Sequence, residues 1–189
     1  MRIRALALCV LLLGTACKSR EPDYYTLSSV PGKPLPGQHL TLKLRRPAID
    51  ITLDRPQMVR MDSTYRIKYD NGAQWSEPLD RMLERVLAQD IEERLPGSVV
   101  VTESGQMVTE ADGAIDLDVR QFGVGADGRA IVQAVSLVSR TGEKNGVPHS
   151  VMLTGGQGST GKAAAQSLSE LLGELSDKIA ADVRKGKRK

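Results

Sequence analysis

The sequence predicts an α+β domain in which a mostly antiparallel sheet has two amphipathic helices packed on one face. Several segments alternate apolar and polar residues, which is typical of strands with one buried face. Two longer segments, within 79–95 and 164–183, repeat apolar residues at helical spacing. The order is strands, helix, strands, helix without an internal repeat, and 189 residues suffice for one domain with its own core.

Two strands are predicted at the start of this domain. Tyr24–Leu27 is a short strand candidate, and the following residues 31–37 form a loop, because they contain three prolines and two glycines. His39–Arg46 alternates again and ends at Pro47. Its predicted buried face consists of Leu40, Leu42 and Leu44.

The stretch 53–95 has the clearest local pattern. Residues 58–69 alternate as a strand. The face predicted to be buried includes Tyr65, Ile67 and Tyr69. Asp70-Asn71-Gly72 predicts a tight turn, because Asn and Gly tolerate positive φ.

A helix is predicted after that turn. Ser76 offers a capping hydroxyl, Glu77 favours the positive helix end, and Pro78 fits the first turn. Pro96-Gly97 ends the helix. Its predicted apolar face consists of Leu79, Met82, Leu83, Val86, Leu87, Ile91 and Leu95, and its polar face of Asp80, Arg81, Glu84, Arg85, Gln89 and Glu92.

The second half predicts four strands and a helix. Val99–Thr102 is a short buried strand, and three further strands within 115–154, joined by turns at 123–128 and 142–146, form an antiparallel meander. A glycine-rich loop, 155–161, leads into the last helix. Its apolar stripe consists of Ala164, Leu168, Leu171, Leu172, Leu175, Ile179 and Val183.

The N-terminal segment predicts export. Arg2 and Arg4 precede the short apolar run Ala5–Leu13, and small residues then lead to Cys17. We therefore expect residues 1–16 to be a signal peptide and Cys17 to be lipidated, although Gly14 stands where such sites usually have Leu. The alternative is an ordinary signal peptide whose cleavage site happens to precede a cysteine.

The remaining chain divides into three parts under this interpretation. Residues 17–23 are a lipidated tether, 24–183 are a single α+β domain, and 184–189 are a basic, disordered tail with five positive charges. Lys18 after the cysteine favours the periplasmic face of the outer membrane. Basic tails bind anionic headgroups or nucleic acid, but export makes nucleic acid an unsuitable partner.

Two motifs within 53–79 carry a resemblance to a known family. Leu53-Asp54-Arg55-Pro56-Gln57-Met58-Val59, a polar strand and then Trp75-Ser76-Glu77-Pro78-Leu79 resemble the PqiC-type auxiliary lipoproteins of ABC-type intermembrane transport systems. The start Tyr24–Leu27 and the final amphipathic helix also resemble this family, which has no catalytic signature. The resemblance implies a non-catalytic outer-membrane subunit that docks a periplasm-spanning MCE-type tunnel protein in lipid transport.

The run Gly156–Lys162 has the spacing of a phosphate-binding P-loop. Ala163 stands where that motif needs a hydroxyl for Mg²⁺, and the preceding strand is predicted to be antiparallel. An exported protein would also meet no ATP. We therefore interpret the run as a loop in which Ser159 or Thr160 caps the last helix.

The other polar residues do not indicate an enzyme. His39 and His149 are far apart in sequence, and no cluster has the spacing of a metal site. Asp116 and Asp118 share one strand face, which is more typical of a solvated face than of paired catalytic carboxylates. The sequence therefore predicts no catalytic residue, cofactor or metal.

Aromatic residues are candidates for partner contact. Trp75, the single tryptophan, either packs beside the helix start or anchors a partner, and Tyr24 and Tyr25 allow the same two interpretations. Edge strands of the predicted sheet allow a homo-oligomer. The alternative function is a stand-alone outer-membrane lipoprotein that binds a lipid or a glycan, as an envelope assembly factor does.

Overall fold

The computed structural model describes residues 21–107, 109–142 and 146–185. Cys17 and the predicted signal peptide lie outside the described residues, as do positions 186–189 of the predicted tail. The described part of the chain forms one sheet and two helices. The elements in chain order are β1 (Asp23–Tyr25), β2 (Thr41–Leu44), β3 (Ala48–Ile49), β4 (Gln57–Ser63), β5 (Arg66–Trp75), α1 (Leu79–Arg94), β6 (Val99–Thr102), β7 (Gly113–Val124), β8 (Arg129–Arg140), β9 (His149–Gln157) and α2 (Gly161–Lys185).

Strand β7 is the axis of the sheet. On one side it pairs antiparallel with β8, which pairs antiparallel with β9, so the predicted meander is confirmed. On the other side β2, β3 and β4 lie parallel to successive parts of β7, at 113–115, 118–119 and Val124. Strand β6 extends the sheet beyond β2, and β5 followed by β1 extends it beyond β4.

The α+β class is confirmed, and the sheet is mixed. Its longest ladders are antiparallel, as predicted, whereas the shorter pairings of β2 with β6 and of β2, β3 and β4 with β7 are parallel. Parallel strands require crossover connections of a dozen or more residues. Here α1 lies between β5 and β6, so the partners are distant in sequence and the local pattern does not show them.

Both helices pack on one face of the sheet, over an aliphatic core. The predicted buried face of β2 is confirmed, since Leu42 and Leu44 are completely covered. The inner face of the meander alternates as predicted and consists of Ile115, Leu117, Val119, Ala130, Val132 and Ala134. The apolar stripes of both helices are buried against these residues.

Helix α1 differs from the prediction at its start and on its polar face. Its N-cap is Pro78 with no side-chain cap, so the prediction that Ser76 caps the helix is wrong. Glu84, assigned to the polar face, is 2% exposed because its carboxylate accepts the Ser104 N–H at 3.0 Å. The predicted stop is confirmed, since the helix ends at Arg94 and Gly97 has a φ of 80°.

The predicted turn at 70–72 is wrong. Strand β5 continues through these residues, and the hairpin turns at Thr64–Tyr65 instead. These residues form a bulge in the strand instead of a turn. The register with β4 shifts between Gln57 and Met58, and the Gly72 N–H donates to the Asp70 side chain at 3.1 Å. The predicted burial is wrong too: Tyr65 is 97% and Ile67 37% exposed, since no neighbouring strand or helix of the described chain covers them.

The first two residues of the predicted tail, Arg184 and Lys185, are helical. Helix α2 extends through Lys185, and Arg184 donates hydrogen bonds to the carbonyl oxygens of Leu35 and Gln38 at 3.0 and 2.6 Å. These bonds hold the last turn of α2 against the loop before β2. Arg184 and Lys185 therefore belong to the folded domain.

Candidate functional site

The two motifs that carry the family resemblance meet at one end of the sheet. The Trp75 N–H donates to the Pro56 carbonyl oxygen at 2.7 Å, and Gln57 pairs with Gln74. Residues 54–56 and 75–79 line one cleft of about 380 Å³. The sequence separates these motifs by a hairpin, whereas the fold makes them neighbours.

The aromatic start of the domain joins the same place. Strand β1 lies parallel to the end of β5, with Tyr25 beside Trp75, and the Ser76 N–H donates to the Tyr25 carbonyl oxygen at 2.8 Å. We call this end of the domain, where the chain arrives from the predicted tether, the tether end. It contains residues 21–25, 54–57, 70–79 and 158–162.

The predicted contact residues differ in exposure. Trp75 is 4% exposed and packs on Phe122, with ring centroids 6.0 Å apart and planes at 50°. Trp75 therefore packs inside the domain, as the packing interpretation has it, and presents little surface. Tyr24 is 66% exposed and Tyr25 is half-buried, so of these candidates Tyr24 presents the most surface.

Charged side chains surround the motif cleft. Arg85 bonds Glu77 at 2.6 Å and the Thr26 hydroxyl at 3.3 Å, which joins α1 to the residues just after β1. The guanidinium of Arg55 lies 4.0 Å from the centroid of the Tyr69 ring, a cation–π contact. These contacts position the motifs and bring no nucleophile or acid–base pair together.

The P-loop-like run is part of the tether end and has a structural role. It follows β9, an antiparallel strand at the edge of the sheet, and Thr160 caps α2 by accepting the Ala163 N–H at 3.2 Å. A Cβ at Gly161 would overlap the Tyr25 ring, so the aromatic ring occupies the space before the helix. The capping interpretation of this run is therefore the one that the geometry supports.

Three of the four remaining polar candidates contact a side chain that can bear the opposite charge. His149 Nδ1 lies 2.5 Å from an Asp182 carboxylate oxygen, and His39 is exposed beside Gly97. Asp116 pairs with Arg45 at 2.7 Å, and Asp118 pairs with Arg120 at 3.2 Å. In the described residues no group of three or more His, Cys, Asp or Glu is placed to hold a metal ion.

Sequence reasoning missed a buried polar cluster that fixes the segment after β1. Arg94 is 1% exposed and bonds Asp177 at 2.5 Å, together with the carbonyl oxygens of Val30, Gly173 and Asp90 at 3.0–3.1 Å. A charged residue near the end of an amphipathic helix is ordinarily exposed, so the sequence contains no signal for this burial. The cluster connects both helices to the chain that leads from the tether.

Asp90 is the acidic member of this cluster. It is fully buried and accepts the Ser29 hydroxyl at 2.6 Å and the Val30 N–H at 3.0 Å. Burial raises the pKa of Asp90, although these hydrogen bonds and the charge of Arg94 act in the opposite direction. The carboxylate therefore serves as an acceptor for the segment after β1 and is enclosed away from any substrate.

A family model described as "ABC-type transport auxiliary lipoprotein component" matches residues 25–180. The chain belongs to this family. The match begins at the last residue of β1 and ends in α2, so it includes both motifs and all of β2 to β9. The PqiC-type resemblance is thereby confirmed at the level of the family. This auxiliary lipoprotein is accordingly a component of a transport system.

Solved structures share the fold of this auxiliary lipoprotein. A crystal structure of an uncharacterized protein has a TM-score of 0.71 at 21% identity and covers 87% of this chain and 99% of its own. Protein XCC0632 from Xanthomonas campestris, a DUF330 protein, has a TM-score of 0.70 at 17% identity, with coverages of 86% and 95%. A PelC dodecamer from Paraburkholderia phytofirmans, with a TM-score of 0.45 at 11% identity and coverages of 85% and 96%, is too distant to bear on assembly. A comparison with curated proteins gives no match.

Neither helix of the described auxiliary lipoprotein is long and apolar enough to span a membrane. Membrane attachment in this family is implied by its description as a lipoprotein component.

Proposed function

We propose that the protein is a non-catalytic subunit of an intermembrane lipid-transport system, anchored at the periplasmic face of the outer membrane by lipidated Cys17. It docks a periplasm-spanning MCE-type tunnel protein to that membrane. The family match over residues 25–180 carries this proposal. The meeting of both family motifs with β1 supports it, because the segment next to the anchor is then built into the domain.

The fold gives this proposal an orientation. Cys17 and Asp23 are six positions apart, and six extended steps reach about 20 Å. The tether end would therefore lie within that distance of the membrane. Helix α2 runs from the tether end for 25 residues, or about 37 Å, so its last turn would face the periplasm.

The far end of α2 is the better candidate for the tunnel-protein contact. Arg140 donates to the Val183 carbonyl oxygen at 2.5 Å, and neither it nor Arg184 has a carboxylate within 4.0 Å among the described residues. Burial and the neighbouring charge of Arg140 lower the pKa of Arg184. Two adjacent guanidinium groups without an acid favour an acidic partner surface.

Self-association is part of the proposal. Strand β9 pairs with β8 alone among the described strands, and residues 150–157 contain no charged side chain. Natural edge strands are usually protected by charge, proline or a covering element. An uncharged edge of this length suits pairing with a second copy of the chain.

The alternative function is a stand-alone lipoprotein that binds a lipid or a glycan. An apolar cleft of about 220 Å³ favours it, since Leu53, Met61 and Ile67 line it beside the buried Gln121 Oε1, which has no hydrogen-bond partner in the described chain. Ligand sites usually enclose about 300–1,000 Å³. The cleft is therefore small for a lipid, and the docking function is the better supported one.

Affinity purification in mild detergent tests the proposal, with full-length protein and a Cys17→Ser variant side by side. Co-purification of an MCE-domain protein with the wild type supports docking, and its loss from the membrane fraction with Cys17→Ser supports the anchor. A protein that elutes without an MCE protein but with bound lipid or glycan would replace docking with the stand-alone function.

A further inference from the structure

The β4–β5 hairpin projects beyond the rest of the sheet. Strand β4 pairs with β7 in the ladder at one position only, Arg60 with Val124, and Val124 is the last residue of β7. Strand β1 pairs with β5 only at 73–75. Residues 61–68, which we call the finger, therefore have no strand neighbour outside their own hairpin in the described chain, and they extend past the tether end.

The finger presents apolar side chains to solvent. Tyr65, at the turn, is 97% exposed, Ile67 is 37% exposed, and Met61 is partly exposed. Met61 and Ile67 border the apolar cleft beside Leu53, whereas nothing in the described chain covers Tyr65. Tyrosine combines an apolar ring with a polar hydroxyl, and it is enriched where hydrocarbon meets water.

The finger is also basic. Arg66 and Lys68 are 66% and 58% exposed and share one acid, Asp62, which lies 3.1 Å from the Lys68 ammonium and also contacts the Arg66 guanidinium. Two bases with one acid leave one positive charge uncompensated, which suits the anionic headgroups of a lipid surface. Asp23 lies beside Ala73, and Glu21 lines a cleft with Asp70, Asn71 and Gly72 in the middle of β5, so neither acid is part of the finger.

The chain enters β1 from the side of the finger. Strand β1 lies parallel to β5, with Asp23 beside Ala73, so Glu21 and Pro22 lie toward the Ile67 side of that pair. Cys17 and Asp23 are six positions apart, as are Ile67 and Ala73. Both runs span about 20 Å when extended. A lipid on Cys17 and the tip of the finger can therefore meet the same plane.

We propose that the finger rests on the surface of the anchoring membrane, with Tyr65 and Ile67 at the level of the headgroups and Arg66 and Lys68 on anionic phosphates. This inference rests on the proposed lipidation of Cys17. The finger adds a second contact point, which fixes the tilt of the domain and so holds the far end of α2 away from the membrane. A protein partner is less suited to this tip, because the membrane beside the anchor occupies the same space.

Fluorescence quenching tests the contact. Full-length lipidated protein with Tyr65→Trp is reconstituted into vesicles of phosphatidylethanolamine and phosphatidylglycerol, whose acyl chains are brominated near the headgroup. Trp75 is 4% exposed and gives a constant background in the wild type. The matched control is Val147→Trp, because Val147 is 70% exposed and precedes β9 at the opposite end of the sheet. Flotation of each variant with the vesicles measures the anchor separately.

We expect blue-shifted, strongly quenched emission for Tyr65→Trp and no quenching beyond the wild type for Val147→Trp. In the Tyr65→Trp background, Arg66→Gln combined with Lys68→Gln should lower the ratio of membrane-bound to unbound finger. The expected decrease is about five-fold for each base removed, since each contributes about 1 kcal/mol near an anionic surface. Flotation of the protein without quenching of the Tyr65→Trp emission would refute the membrane contact of the finger and leave the anchor intact. A blue shift of that emission that appears only after a partner protein is added would refute it as well. Failure of the wild type to float would instead refute the lipid anchor.

Discussion

Replacing Arg94 with methionine tests the buried polar cluster that connects the tether segment to both helices. The guanidinium is 1% exposed and donates to the Asp177 carboxylate and to three carbonyl oxygens. Methionine has a similar length but no donor, so the change removes the hydrogen bonds and leaves most of the volume. Asp177 is half-exposed and can regain water, whereas Asp90 is 0% exposed and loses its neighbouring charge at 3.9 Å.

Removing one partner of a buried ion pair costs about 3–5 kcal/mol. The loss here should lie in that range, because the carbonyl oxygens of Val30 and Gly173 also lose their donor. For a domain of this size, about 3–5 kcal/mol corresponds to a fall in Tm of roughly 6–20 °C. Urea unfolding followed by the emission of the buried Trp75 measures the free energy of unfolding. The N–H groups of Val30 and Leu35 should also exchange faster with solvent. They donate to the Asp90 carboxylate and to the Arg94 backbone carbonyl, and both acceptors lie beside the side chain that is replaced.

Arg120→Gln is the control for this prediction. Arg120 and its partner Asp118 have side chains that are 55% and 50% exposed, so losing their ion pair should change stability by less than about 1 kcal/mol. If Arg94→Met lowers the free energy of unfolding by no more than Arg120→Gln does, the reasoning is refuted, because the buried cluster would then not stabilise the fold.

Three further predictions concern individual side chains. Thr160→Ala removes the α2 cap and should cost about 1 kcal/mol in urea unfolding, and an unchanged midpoint would contradict the cap. Glu84→Leu leaves the Ser104 N–H without its acceptor and should cost about 1–3 kcal/mol by thermal unfolding. Hydrogen bonds from His149 and Lys185 outweigh burial and lower the pKa of Asp182. Its stabilisation is therefore present above the pKa of an unfolded Asp and is lost as pH falls through the lower folded pKa. Asp182→Asn should flatten this acid limb in Tm measured against pH, whereas equal slopes would exclude the linkage.

The local sequence determined most of the secondary structure. The alternation of Leu40, Leu42 and Leu44 predicted a half-buried strand, and the apolar spacing after Pro78 predicted α1 up to its stop before Gly97. These predictions succeed because a side chain's direction within a strand or a helix depends on its immediate neighbours in sequence. The family motifs could also be recognised in the sequence, since each is a contiguous run of residues.

The pairing of distant segments was decided by the tertiary structure. The tight-turn signal of Asp70-Asn71-Gly72 became a bulge inside β5, because Asp70 pairs with β4 and residues 73–75 pair with β1, so both flanks are held in one strand. The parallel neighbours of β7 depend on crossovers that no local pattern encodes. For the same reason the sequence could not reveal that the two family motifs line one cleft.

Burial of individual side chains also depended on tertiary structure. A pattern of period two or 3.6 identifies an apolar face, but it does not state whether another element of the chain covers that face. Tyr65 and Ile67 belong to such a face and remain exposed, because the β4–β5 hairpin extends beyond the last residue of β7. Glu84 and Arg94 are buried charges on a helix that the sequence shows only as amphipathic, since their partners come from segments distant in sequence. The sequence by itself therefore determined the elements and the family, and the packing between distant segments decided which surfaces are left for partners and membrane.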